Sequence, residues 1–153
     1  MASAKIKTFH MPRGPLESVP GARILGIEPG DSAQLVRLVQ KGFHFKRLVQ
    51  LQKASALPWE GIARFTSIPQ RTIARRQKEG RLHSDESDRV LRASRIFDLA
   101  TDLFMGDAAQ ARQWLESPQR GLGGQVPLDY ASTDAGAREV EYLIIRLQHG
   151  VFA

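Results

Sequence analysis

Two short segments with helical spacing of apolar residues follow each other near the middle of the chain, and they restrict its fold more than any other feature. The first covers residues 59–65, and the second starts at Ile68. Only a short turn separates them, and the second segment carries most of its charge on one side. This pattern predicts a helix-turn-helix, with helices at about 59–66 and 69–79, whose second helix reads DNA.

The second predicted helix begins with side chains that suit the major groove. Gln forms two hydrogen bonds to adenine and Arg two to guanine, whereas cations along the helix bind phosphates and supply affinity rather than sequence choice. At the start of the helix, contacts to base edges and phosphates are predicted for Pro69, Gln70, Arg71 and Thr72. Further along, phosphate contacts are predicted for Arg75, Arg76 and Lys78.

The predicted turn departs from the usual pattern. Thr66 and Ser67 stand where many helix-turn-helix motifs place an apolar residue and a glycine. Ile68 and Ile73 are expected to fill the core beneath the turn, and Ala63 is expected to let the helices approach closely. The alternative is a helical hairpin with a basic outer face that does not touch DNA.

The rest of the chain also carries helix signals. Capping-box patterns predict helix starts at Asp31 and Asp107. Ser84 and Thr133 are suitable N-caps, and a further helix is expected at about 45–56. Because no segment shows period-two alternation, the predicted fold class is all-α.

Two apolar stripes mark the helices of the C-terminal half. A long helix from 85 to about 105 is predicted by the stripe Val90, Ser94, Phe97, Ala100 and Phe104. A last helix is predicted by the spacing of Val140, Leu143, Ile144 and Leu147. Residues 117–127 between these helices are rich in glycine and are predicted to form a loop.

Charge divides the chain into two unlike parts. Residues 1–80 carry 14 Lys and Arg against 5 Asp and Glu, whereas residues 81–153 carry 8 Arg against 11 acidic residues. The basic part favours a polyanion such as DNA, and the acidic part suits a different partner. Cysteine is absent, so a reducing cytoplasm is expected. No stretch approaches the roughly 18 apolar residues of a membrane span.

Catalytic and metal-binding signals are weak. The four histidines are scattered and there is no cysteine, so no metal site and no cofactor are expected. The segment Gly121-Leu122-Gly123-Gly124 lacks the spacing of a phosphate-binding P-loop, and a flexible turn is the better interpretation. No nucleophile, base and orienting acid are grouped in sequence, which disfavours an enzyme, including a small NAD-related one.

The chain from residue 68 to its end resembles the Xre/MbcA/ParS antitoxins, which pair with RES-domain toxins. The resemblance rests on an ordered set of segments: residues 68–76, 80–89, 111–115, 121–124, 127–129, 133–140 and 150–152. It implies an Xre-like DNA-binding region at 23–83 and a toxin-binding domain at 84–153. Residues 1–22 carry no part of the resemblance, and their prolines and glycines predict an irregular arm.

The resemblance also implies a function. A type II antitoxin binds and neutralises its toxin and represses its own operon, and RES toxins consume NAD or use it for ADP-ribosylation. Binding DNA as a homodimer on an inverted repeat is expected. The alternative is a DNA-binding regulator whose C-terminal helices serve only dimerisation. The residues implied in toxin binding are Arg120, Leu122, Gly123, Gly124, Arg146, His149, Gly150, Val151, Phe152 and Ala153.

Overall fold

The computed structural model describes residues 20–28 and 32–150, and in these ranges the chain is all-α, as predicted. A short 3-10 helix spans Arg120–Leu122, and the described residues contain isolated bridges but no strand. The helices are α1 (Ser32–Lys41), α2 (Phe45–Ser55), α3 (Trp59–Thr66), α4 (Gln70–Glu79), α5 (Ser84–Leu103), α6 (Ala108–Leu115), α7 (Pro127–Tyr130) and α8 (Asp134–Gln148).

Several helix boundaries follow from the capping signals. Asp107 accepts a hydrogen bond from the Gln110 N–H at 3.1 Å, and Thr133 Oγ1 accepts one from the Gly136 N–H at 3.0 Å. Each bond satisfies a backbone donor that the first helical turn leaves free. The predicted start at Asp31 lies outside the described residues.

The predicted N-cap of α5 is wrong by one residue. His83 lies at the N-cap, and Ser84 is already helical. The Glu86 carboxylate accepts a hydrogen bond from the His83 N–H at 2.8 Å, which is the back-bond of a capping box. Glu86 therefore determines where α5 begins.

Helix α5 is the centre of the fold. It packs against three helices that precede it in the chain, α1, α2 and α3, and against two that follow it, α6 and α8. Its predicted stripe is confirmed for Val90, Ser94, Phe97 and Ala100, each at most 2% exposed. One continuous cluster of buried residues, from Ala22 to Ile144, therefore joins the two predicted halves.

The residues before α1 are held against α5. Gly21 donates its N–H to Asp98 Oδ2 at 2.8 Å, and its φ of +90° would strain any residue with a Cβ. Leu25 is fully buried. The end of the predicted irregular arm, residues 20–22, thus belongs to an anchored turn, while the rest of the arm lies outside the described residues.

Candidate DNA-reading and partner-binding surfaces

The helix-turn-helix forms as predicted, and its unusual turn has a clear structural basis. Thr66 is fully buried, and its hydroxyl donates to the Ile62 carbonyl at 2.7 Å, so the polar side chain is satisfied. Ser67 takes the left-handed conformation that glycine usually supplies, with φ of 54°. Ile68 and Ile73 are buried beneath the turn. Thr66 and Ser67 therefore preserve the turn geometry without a glycine.

Helix α4 presents most of its predicted DNA contacts to solvent. Ile73 and Arg76, one turn apart, face inward. Ala74 is exposed between the cationic side chains. The predicted DNA contacts Pro69, Gln70, Arg71, Arg75 and Lys78 are exposed, and Thr72 is half-buried.

Arg76 must be removed from the predicted phosphate contacts. Its side chain is only 7% exposed, and it donates to Glu86 through Nε at 2.7 Å and Nη2 at 3.1 Å. It also pairs with Glu79 at 3.2 Å. Its position one turn after Ile73 is the sequence signal that was missed. Arg76 therefore ties α4 to the start of α5 instead of facing DNA.

Burial and hydrogen bonding have opposite effects on the pKa of Glu86. Burial alone would raise the pKa of Glu86, but the hydrogen bonds from Arg76 and from the His83 N–H outweigh burial and hold the pKa below its ordinary value. The carboxylate is thus charged at neutral pH and neutralises Arg76.

The remaining cations of α4 are available to an anion. In the part of the chain that the structure describes, no ion pair involves Arg71, Arg75 or Lys78. Glu79, the one acidic residue of α4, forms an ion pair with Arg76. The exposed face of α4 is therefore a compact positive surface beside a polar helix start, which suits phosphates and base edges.

The glycine-rich loop is compact, and it packs on α8. Gln119 and Gln125 close it through an antiparallel bridge with an N–H to carbonyl bond of 3.0 Å. Gly121 lies so close to Leu143 that a Cβ would come within 2.5 Å of a Leu143 methyl. The 3-10 helix Arg120–Leu122 forms its first half. The loop is thus held at both ends, unlike the flexible turn that the sequence suggested.

The implied toxin-binding residues divide by exposure. Leu122 is only 7% exposed and packs in the core. It therefore supports the loop from inside, and its prediction as a direct toxin contact does not fit the structure. Gly123 and Gly124 are exposed with positive φ, and Arg120 is exposed beside them. The loop therefore offers backbone and one cation to a partner.

The other implied toxin-binding residues that the structure describes lie at the end of α8. Arg146 is half-buried, and its Nε has no hydrogen-bond partner among the described residues. His149 and Gly150 are exposed. The implied contacts Val151, Phe152 and Ala153 lie outside the described residues.

The turn of the helix-turn-helix is bonded directly to the C-terminal half. Ser67 donates its hydroxyl to the Ser132 carbonyl at 3.1 Å, and its own carbonyl accepts from Arg89 at 2.7 Å. Arg64 on α3 forms two hydrogen bonds with Asp129 on α7, at 2.6 and 2.8 Å. The turn and the α7–α8 connection thus behave as one packed unit.

The described residues offer neither a metal-binding cluster nor a membrane-spanning helix. Among the described residues there is no group of three or more His, Asp or Glu side chains placed to hold a metal ion. No helix in those ranges is long and apolar enough to cross a membrane.

The sequence matches known proteins over most of its length. A family model for the antitoxin Xre/MbcA/ParS C-terminal toxin-binding domain matches residues 99–150, starting inside α5. The chain is 37% identical to a protein named Antitoxin Xre from Yersinia enterocolitica, over 86% of this chain and 89% of that protein. It is 33% identical to one of the same name from Photorhabdus laumondii, over 92% and 95%. The Antitoxin Xre of Pseudomonas putida is 31% identical over 73% and 69%.

Proposed function

Because the chain belongs to the Xre/MbcA/ParS antitoxin family, we propose that it neutralises a RES-domain toxin and represses its own operon by binding DNA through α4. As a member of this family the chain is a toxin-binding antitoxin and not an enzyme. The observation that carries the proposal is that one packed fold holds both the toxin-binding domain of the family match and an exposed cationic helix at a well-formed helix-turn-helix.

The toxin would be bound by the loop at 120–124 and the end of α8. Two features support this surface. The exposed glycines leave backbone groups open to a partner, and the exposed Arg120 beside them offers a cation.

Co-expression with the product of the adjacent gene tests the toxin proposal. A native mass measurement should find both chains in one complex, and growth arrest by the partner alone should be relieved. The matched control is Arg71→Ala, which lies on the DNA face and should leave complex formation unchanged. A folded antitoxin that binds its operator yet captures no partner would instead support a regulator without a toxin.

The DNA half of the proposal has its own test. A homodimer should bind an inverted repeat whose half-sites lie about 34–36 Å apart, or a multiple of that. Affinity should fall steeply with salt because cations of α4 release counterions. Absence of binding to the promoter of its own operon, at low salt and with folded protein, would refute autorepression.

The C-terminal residues 151–153 are proposed to lie at or near the active-site cleft of the toxin. Their deletion should weaken inhibition of the toxin while leaving operator binding intact. Unchanged inhibition by the shortened chain would exclude this role.

A further inference from the structure

A groove of about 500 Å³ runs between α5 and α8, on residues that the functions proposed above do not use. Its apolar part is formed by Leu91, Tyr142 and Ile145. Tyr142 is 54% exposed and Ile145 is 41% exposed, although both lie on the helix whose opposite face fills the core. Large apolar side chains exposed together beside a groove are typical of a protein interface.

Charges of both signs surround this apolar strip in equal number. The groove is lined by three acidic side chains and three arginines, so its net formal charge is zero; they are Asp88, Asp134, Glu141, Arg92, Arg95 and Arg138. They alternate in space, since Arg95 contacts Glu141 at 3.1 Å and Arg138 contacts Asp134 at 3.3 Å. A face without net positive charge lacks the excess of cations that binds DNA by neutralising phosphates.

We propose that the α5–α8 groove is the face through which two copies of this chain associate. In a two-fold dimer the same surface meets itself. A face that carries only one sign of charge would then repel its copy, whereas this face has no net charge and its arginines are paired with acids of the same chain, so two copies can meet without repulsion. The exposed Tyr142 and Ile145 would be covered together at the centre, as is common for aromatic residues in interfaces.

This inference rests on the homodimer of the proposed function and identifies its surface. The face is distinct from the DNA-reading face of α4 and from the loop at 120–124. The groove contains none of the residues proposed to contact DNA or toxin.

The first test disrupts the apolar centre in the full-length chain. Sedimentation at several concentrations should show a dimer for the unaltered protein and at least 100-fold weaker association for the double variant Tyr142→Asp/Ile145→Asp. The matched control is Val36→Asp on α1, another large apolar side chain that is 52% exposed, and it should dimerise normally. Thermal melting by circular dichroism should find both variants folded, because the replaced side chains are exposed.

Two results of this test would overturn the proposal. One is an unaltered protein that stays monomeric at all concentrations. The other is a double variant that dimerises as well as the unaltered chain.

The second test uses charge, and it stays informative if the double variant fails to fold. Arg138→Glu gives the face a net charge of −2, and Asp88→Lys gives it +2, because each reverses one of six charges. Each variant alone should associate less tightly than the unaltered protein, whereas an equimolar mixture should form heterodimers, most clearly at low salt. A mixture that associates no better than either variant alone would overturn the proposal.

Toxin inhibition separates this inference from the antitoxin proposal. If the double variant loses self-association but still inhibits the toxin, the groove is the dimer face. If it keeps its self-association and loses inhibition, the groove belongs to the toxin and the dimer face is refuted. Failure of the dimer test leaves the antitoxin proposal standing, because neutralisation is measured independently.

Discussion

Replacing Gly136 by Ala tests how the α7–α8 connection is packed. Gly136 is buried in the first turn of α8, and its N–H is capped by Thr133. A Cβ at this position would overlap the Tyr130 carbonyl oxygen and would come within 2.9 Å of the Tyr130 carbonyl carbon and 3.1 Å of Thr133 Oγ1. The obstacle is main chain, so it cannot be relieved by a side-chain rotation.

Two opposing effects set the size of the change. Ala favours a helix over Gly by about 1 kcal/mol, which would stabilise the variant if the site were open. Overpacking costs typically about 1–3 kcal/mol and sometimes more, and a clash with a carbonyl belongs at the upper end. We therefore expect a net loss of about 2 kcal/mol, which corresponds to a fall in Tm of roughly 4–8 °C for a chain of this length.

Thermal unfolding followed by circular dichroism measures this effect. The control is Ala135→Gly at the adjacent exposed position, where only helix propensity acts and the loss should not exceed about 1 kcal/mol. A Gly136→Ala variant with an unchanged or higher Tm would refute the packing described for this connection.

Three further predictions concern the arginines of α4 and the ion pairs of the fold. Arg71→Ala should weaken operator binding by about 1–3 kcal/mol if Arg71 reads a base, and it should leave Tm unchanged. Arg76→Ala should lower Tm, because the buried Glu86 carboxylate loses its counter-charge. Gel-shift and melting measurements separate the two effects, and a normal Tm for Arg76→Ala would contradict the buried placement of Arg76. The pKa of Glu86 is lowered in the folded state. The free energy of unfolding should therefore fall as the pH drops below the ordinary pKa of a glutamate and through the lower pKa of folded Glu86. Glu86→Gln should remove this part of the pH dependence, and identical pH profiles of the two proteins in denaturant titrations would contradict it. A double-mutant cycle on Arg64 and Asp129 should give at most about 1 kcal/mol of coupling, because both side chains are 49% exposed; a coupling of several kcal/mol would show that solvent does not screen the pair.

The local elements of the fold were well predicted because their signals lie close together in sequence. Apolar spacing and caps identified α5, α8 and the helix-turn-helix, and Asp107 and Thr133 cap as expected. Helix α7 was missed because it has only four residues, and its first residue, Pro127, was assigned to the glycine-rich loop. Short elements of this kind depend on tertiary contacts, here with α3 and α8.

The errors in the predicted sites have one common cause. Arg76 was interpreted as a phosphate contact, but its partner Glu86 is ten residues away on another helix. Leu122 was placed in the toxin interface by resemblance, but it is buried. Whether a charged or apolar side chain faces solvent depends on what packs against it. The helical periodicity of α4 already indicated that Arg76 faces inward, because Arg76 shares the face of the buried Ile73.

The most direct test of the central proposal is the NAD consumed by the purified RES-domain partner as the full-length chain is titrated in. We predict that NAD loss stops at a fixed stoichiometric ratio, that Arg71→Ala inhibits equally well, and that deletion of residues 151–153 inhibits less. If folded antitoxin in large excess leaves NAD consumption unchanged, the chain does not neutralise this toxin, and the proposal is contradicted.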